Sequence, residues 1–107
     1  MRAYDALRRR ADFARVRQRG RRTAAAHLIC LTTDARLRSR VGITVSAHVG
    51  CAVVRNRLRR RIKAILDRYN LNAPPHRDIV FIARPGAGQL AFTDLAAEVE
   101  RTLGPPA

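Results

Sequence analysis

Between Gly50 and Tyr69, apolar residues recur at helical spacing: Val54, Leu58, Ile62, Ile65, Leu66 and Tyr69. They fall on one face of a helix. The rest of its surface carries Arg55, Arg57, Arg59, Arg60, Arg61 and Lys63. No other segment constrains the chain so strongly. The apolar stripe needs a second layer to cover it, and the like charges repel one another along the helix. A merely solvated face mixes its signs, whereas the first acid here is Asp67. The cations therefore point to an anionic partner. Asn56 sits between two arginines, where its poor helix propensity does nothing for the fold. Its amide can both donate and accept, to RNA or to a metal-bound water.

The imbalance extends to the whole chain. Of 107 residues, 22 are Lys or Arg and 8 are Asp or Glu, a formal net charge of +14. Such a charge opposes a compact state unless a polyanion is near. Nucleic acid is the obvious polyanion, and an acidic membrane surface is the competing one. Lys63 is the only lysine. Arginine grips phosphate in bidentate fashion and stacks on bases, although a GC-rich genome produces the same bias. Nine basic residues lie between Arg2 and Arg22, six between Arg55 and Lys63, and only Arg101 after Arg84. Binding is thus expected in the first half and the middle of the chain. With 47% hydrophobic residues, residues 1–107 can bury a core as a single domain. No apolar run reaches the roughly 18 residues of a membrane span, and the amino terminus lacks an apolar signal core. A cytoplasmic protein with no membrane partner is expected.

The remaining elements follow from spacing. Arg8–Arg19 reads as a short helix stopped by Gly20, with Phe13 and Val16 on one face. Arg21–Thr33 reads as two strands, Asp34–Arg40 as a polar turn, and Arg40–Ser46 as an alternating strand. After a loop marked by Pro74-Pro75, Ile79–Ala83 is continuously apolar, as a central strand covered on both faces would be. Thr93 is placed as the N-cap of a last helix with Asp94 in its first turn. Leu95, Ala96, Val99 and Leu103 form that helix's apolar face. The order α-β-β-β-α-β-α gives an α+β fold, a two-layer sandwich with a four-stranded sheet.

Chemistry-bearing constellations are missing. His27-x-x-Cys30 and His48-x-x-Cys51 have metal-like spacing, but His27 and Cys30 lie on a strand, where positions three apart face opposite ways. Acid–base catalysis by the two histidines finds no support from neighbouring residues. Two buried, reduced thiols and exposed or RNA-facing imidazoles are expected instead. There is no nucleophile beside a base and no phosphate loop. The acids are scattered rather than grouped as a Mg²⁺-dependent nuclease would need. No catalytic residue and no metal ligand is assigned.

Several ordered segments resemble the protein subunit of bacterial ribonuclease P. They are Arg40-Val41-Gly42-Ile43-Thr44-Val45-Ser46, then Val49-Gly50, then Ala52-Val53-Val54-Arg55-Asn56-Arg57-Leu58-Arg59-Arg60-Arg61-Ile62. Asp12-Phe13 with Val16 and Gly20, Asp78-Ile79-Val80, and Ile82-Ala83-Arg84 occur in the matching order. The resemblance implies a protein that assists a catalytic RNA in removing the 5′ leader from precursor tRNA. It implies a 1:1 partnership with that RNA subunit, and Mg²⁺ required by the RNA rather than bound by the protein's own side chains. Arg55, Asn56, Arg57, Arg59, Arg60 and Arg61, with Lys63 beside them, would face the RNA subunit. Phe13, Val16, Arg17, His48 and Arg84 would line the cleft for the leader. Arg17 stands where the family often has an aromatic residue, and a guanidinium can still stack on a base. Ala47-His48 stand where two lysines are common, which would make the cleft sensitive to pH through His48. The family fold implies a mixed sheet with a left-handed crossover from Val41–Ser46 to Ile79–Ala83. The alternatives are a basic ribosomal or general RNA-binding protein, a stand-alone nuclease, and a membrane-surface binder. The last needs apolar residues free to insert.

Overall fold

A computed structural model describes residues 3–106, so Arg2 lies outside the described residues. In chain order the elements are β1 (Asp5–Ala6), α1 (Arg10–Arg19), β2 (Arg21–Ala24), β3 (Leu28–Asp34), β4 (Arg40–Thr44), α2 (Ala52–Leu66), β5 (Arg77–Ala83), a short 3-10 turn (Ala87–Gln89) and α3 (Phe92–Leu103). The strands form one mixed sheet in the order β1-β4-β5-β3-β2. β4 runs parallel to β1 and β5, and β3 runs antiparallel to β5 and β2. Among the described residues the sheet has five strands, not the four expected, and the first element is a strand rather than a helix. Two residues are too few to show alternation. β1 is fixed instead by backbone bonds, Asp5 N–H to Ser39 O and Leu7 N–H to Val41 O, both 2.9 Å.

β5 lies at the centre, which explains its unbroken apolar run. Ile79, Phe81 and Ala83 enter the larger core with Leu58, Ile62, Ile65 and Leu66 of α2 and Leu95 and Val99 of α3. Val80 and Ile82 face the other way, packing with Leu7, Phe13, Val16, Ile29 and Leu31 under α1. The expected sandwich is the sheet against α2 and α3, with α1 crossing the sheet's opposite face. The α2 stripe is buried as its spacing predicts, from Leu58 through Tyr69. Full burial of each such aliphatic side chain contributes about 1.5–3 kcal/mol. The N-cap of α3 is Ala91, so Thr93 falls inside the first turn beside Asp94.

Two glycines decide local packing. A Cβ on Gly42 would come within 2.5 Å of the Phe13 ring, so this glycine lets the ring of α1 lie on β4. Gly86 has φ +95°, a left-handed turn between β5 and the 3-10 turn, and packs against the His27 ring.

Candidate nucleic-acid interface

The seven α2 residues expected at an RNA surface divide into two sets, with Arg55 apart from both. Arg57 and Arg61, one turn apart, donate to the backbone carbonyls of Gly88 (3.1 Å) and Leu90 (3.2 Å). They strap the helix to the 3-10 turn, which approaches closely because a Cβ on Gly88 would strike Val54. Arg55 is half-buried and its Nε has no hydrogen-bond partner. Asn56, Arg59, Arg60 and Lys63 line an open concavity with Val53, which is 72% exposed. Among the described residues none of these three cations has an ion-pair partner. Arg59 donates to Asn56 Oδ1 at 3.1 Å, which leaves the Asn56 NH₂ group to meet an outside acceptor.

This concavity continues around the β1–β4 edge of the sheet. Arg59 and Lys63 also border an apolar hollow of about 230 Å³ lined by Tyr4, Leu7, Phe13, Val41 and Ile43. Phe13 in turn borders a third hollow with Arg8, Arg10, Arg17, Gln18 and Thr44. Shared lining residues join the three, so the groove runs from α1 over the sheet edge to α2. Its floor is apolar and aromatic, and its rims are cationic. That combination suits a single-stranded polynucleotide, with phosphates on the arginines and a base against the ring.

The other expected cleft residues fare differently. Phe13 is half-buried with its ring on Gly42, and Arg17 is exposed beside it. Val16 is fully buried under α1, so it is a core residue and not part of the cleft surface. Sharing a helical face with Phe13 places it one turn deeper rather than beside the ligand. His48 and Arg84 are exposed but line none of the three hollows. Arg8, Arg10 and Gln18 escaped assignment from the sequence, although the Arg8-Arg9-Arg10 run was a visible signal.

The thiols and imidazoles also differ from expectation. Cys30 is buried, and burial pushes its thiol up to about 12. Cys51 is exposed at the start of α2, where the N–H groups of Val54 and Val53 lower its pKa. His27 is neither open nor RNA-facing: its backbone N–H and its Nδ1 meet the two carboxylate oxygens of Glu98 at 2.8 and 2.7 Å. Among the described residues no three His, Cys, Asp or Glu side chains gather to hold a metal ion, and no helix is long and apolar enough to cross a membrane.

A buried ion cluster sets α1, and hence Phe13, on the sheet. Arg40 and Asp78 are register partners at the starts of β4 and β5. Arg40 donates Nε and Nη2 to Asp78 at 2.9 and 2.8 Å, and Arg15 of α1 donates to the same carboxylate at 2.7 Å. Asp12 accepts from both arginines. Burial pushes the Asp78 carboxyl up, but the hydrogen bonds from Arg40 and Arg15 outweigh it and hold the group below the usual carboxylate value.

Comparisons with known proteins bear on the family and the fold. The family model described as "Ribonuclease P" matches residues 1–105. The fold is similar to the RNase P protein from Staphylococcus aureus, at 27% identity and a TM-score of 0.83, covering 92% of this chain and 91% of that one. A mutant of the Staphylococcus protein, described as defective in mRNA degradation activity, matches equally at 0.83 and 27%, covering 92% and 84%. The RNase P protein from Thermotoga maritima matches at 27% identity and a TM-score of 0.80, covering 94% and 96%. No curated protein matches the sequence.

Proposed function

This chain belongs to the ribonuclease P protein family, and on that premise we propose that it supports a catalytic RNA in cutting the 5′ leader from precursor tRNA. Membership gives it a role in the ribonuclease P holoenzyme, in tRNA 5′ processing, with an RNA subunit as partner. In this reading the exposed face of α2, with Asn56, Arg59, Arg60 and Lys63, docks on the RNA subunit. Arg57 and Arg61 hold that helix in place, and with Arg55 they add positive potential behind it. The single-stranded leader enters the groove over Phe13, with Arg17, Arg8 and Arg10 on its phosphates. His48 and Arg84, at the end of the sheet where β4 and β5 finish, extend the positive surface beyond the groove. The complex is 1:1.

The observation that carries this reading is the unneutralised cationic face of α2 joined to an apolar groove floored by Phe13. Hydrolysis belongs to the RNA. In this reading the Mg²⁺ that the reaction needs is held by the RNA partner. The protein's part is to hold substrate and RNA together, which lowers the entropic cost of the encounter.

A cleavage assay tests the reading. Precursor tRNA is incubated at low Mg²⁺ with a bacterial ribonuclease P RNA, with and without the protein, and with the protein alone. Accurate 5′ maturation that needs both is expected, with Phe13→Ala weakening binding of leader-bearing substrate but not of mature tRNA. No stimulation of a matched RNA would leave only a general RNA binder. Cleavage by repurified protein alone would mean that the chain carries its own active site.

A further inference from the structure

A second cationic hollow lies away from the groove. It sits where α1 ends and β2 begins, at the sheet end where β3 finishes and β5 starts, and has a volume of about 770 Å³. Its walls carry Arg19, Arg21 and Arg77, with Arg15, Thr32 and Asp34. It shares no lining residue with the three hollows of the groove. α2 follows the opposite end of β4, and β5 runs about 20 Å between the two ends of the sheet.

The charge here is not neutralised from within. Arg15 is engaged by Asp78 and Asp12. Arg19, Arg21 and Arg77 have no ion-pair partner among the described residues, and Asp34 is the only acid in the hollow. Arg77 Nε is moreover buried without a hydrogen-bond partner. A buried donor without a partner carries a desolvation cost, and this one belongs to a residue that lines the hollow. The negative end of α1 opposes an anion here, but Arg17 and Arg19 in its last turn offset it.

We propose that this hollow binds the phosphate backbone of an RNA, as a second contact at the far end of the sheet from the start of α2. Three arginines without ion-pair partners line the hollow, and guanidiniums match phosphate oxygens through forked hydrogen bonds. No base-reading element faces it, so the contact is independent of sequence. The inference rests on the reading of the chain as an RNA binder.

Two measurements test it. In the free protein, pyrophosphate is titrated while the ¹⁵N signal of Arg77 Nε is followed. A saturable shift is expected, with its midpoint at least fivefold higher in Arg19→Ala/Arg21→Ala. No saturable shift, or an unmoved midpoint, overturns the site. In the complex with ribonuclease P RNA, affinity is measured against salt. Arg19→Ala/Arg21→Ala is expected to lower the log–log slope by about 0.7–1.8, one or two phosphates. The slope change per charge must exceed that of Arg101→Ala, an exposed arginine on α3 that does not line the hollow. Pyrophosphate saturation with an unchanged RNA slope would make this a site for free anions and overturn the RNA assignment. Arg59→Ala/Arg60→Ala, run alongside, separates the two readings. If it lowers the slope and the hollow variant does not, the hollow fails and the α2 reading stands. If only the hollow variant lowers it, the α2 reading fails and the hollow stands.

Discussion

Two sets of cations, Arg15 and Arg40 where α1 meets the sheet and Arg59, Arg60 and Lys63 on α2, do opposite things. Arg15 and Arg40 close on Asp78, whose side chain is only 2% exposed, and their charges are spent inside the fold. Arg59, Arg60 and Lys63 meet no carboxylate and face outward. One residue type thus serves as a structural clamp in one place and as an open binding surface in the other. What separates them is the position of two acids, Asp12 and Asp78. In a chain with few acids, Asp12 and Asp78 mark the arginines that the fold has claimed for this clamp.

Breaking the clamp should have the largest effect on stability. Asp78→Asn leaves two guanidiniums facing a neutral group and should cost about 3 kcal/mol, the lower end for a broken buried pair because both arginines are partly exposed. Urea unfolding of the variant measures it. The pH dependence follows from the same carboxyl. Its folded pKa lies below its unfolded value, so its contribution is complete above pH ~4 and is lost as pH falls through the folded pKa. The urea midpoint should therefore owe no change to Asp78 between pH 7 and 5, and the decline below pH ~4 should be shallower in Asp78→Asn.

Gly42→Ala comes next. The new methyl collides with the Phe13 ring, an overpacking cost of about 1–3 kcal/mol. It should also displace the ring and weaken leader binding while leaving affinity for the RNA subunit intact, as separate binding titrations would show. Arg57→Ala and Arg61→Ala each remove one bond from α2 to the 3-10 turn and should cost about 1 kcal/mol, read from thermal melts. The smallest change in stability belongs to Arg59→Ala/Arg60→Ala/Lys63→Ala, within about 0.5 kcal/mol. That variant should lower the RNA salt slope by up to about 2–3, since each phosphate contact adds roughly 0.7–0.9. A loss of cooperative unfolding there would erase the distinction between clamp and open face.

Much of this was legible in the chain. The α2 stripe, the continuous β5 run and the alternating β4 strand are periodic, and periodicity survives folding because side-chain direction is set by the local backbone. β1 was not legible, because two residues held by backbone bonds to Ser39 and Val41 leave no pattern. Cys51 was expected to be buried as an apolar thiol, but it sits one residue before α2 and faces solvent. Val16 shares a helical face with Phe13, and only the packing of α1 on Val80 and Leu31 distinguishes the buried residue from the one at the surface.

The sequence by itself determined that this chain folds as α+β, carries a basic helix and needs a polyanion. Those properties rest on composition and on spacing along one segment. Only the tertiary structure decided which cations are free. Arg40 meets Asp78 across two parallel strands, and Arg57 meets Gly88 some thirty residues away. A charge is neutralised by what lies beside it in space, and that neighbour is set by the register of the sheet and the docking of helices.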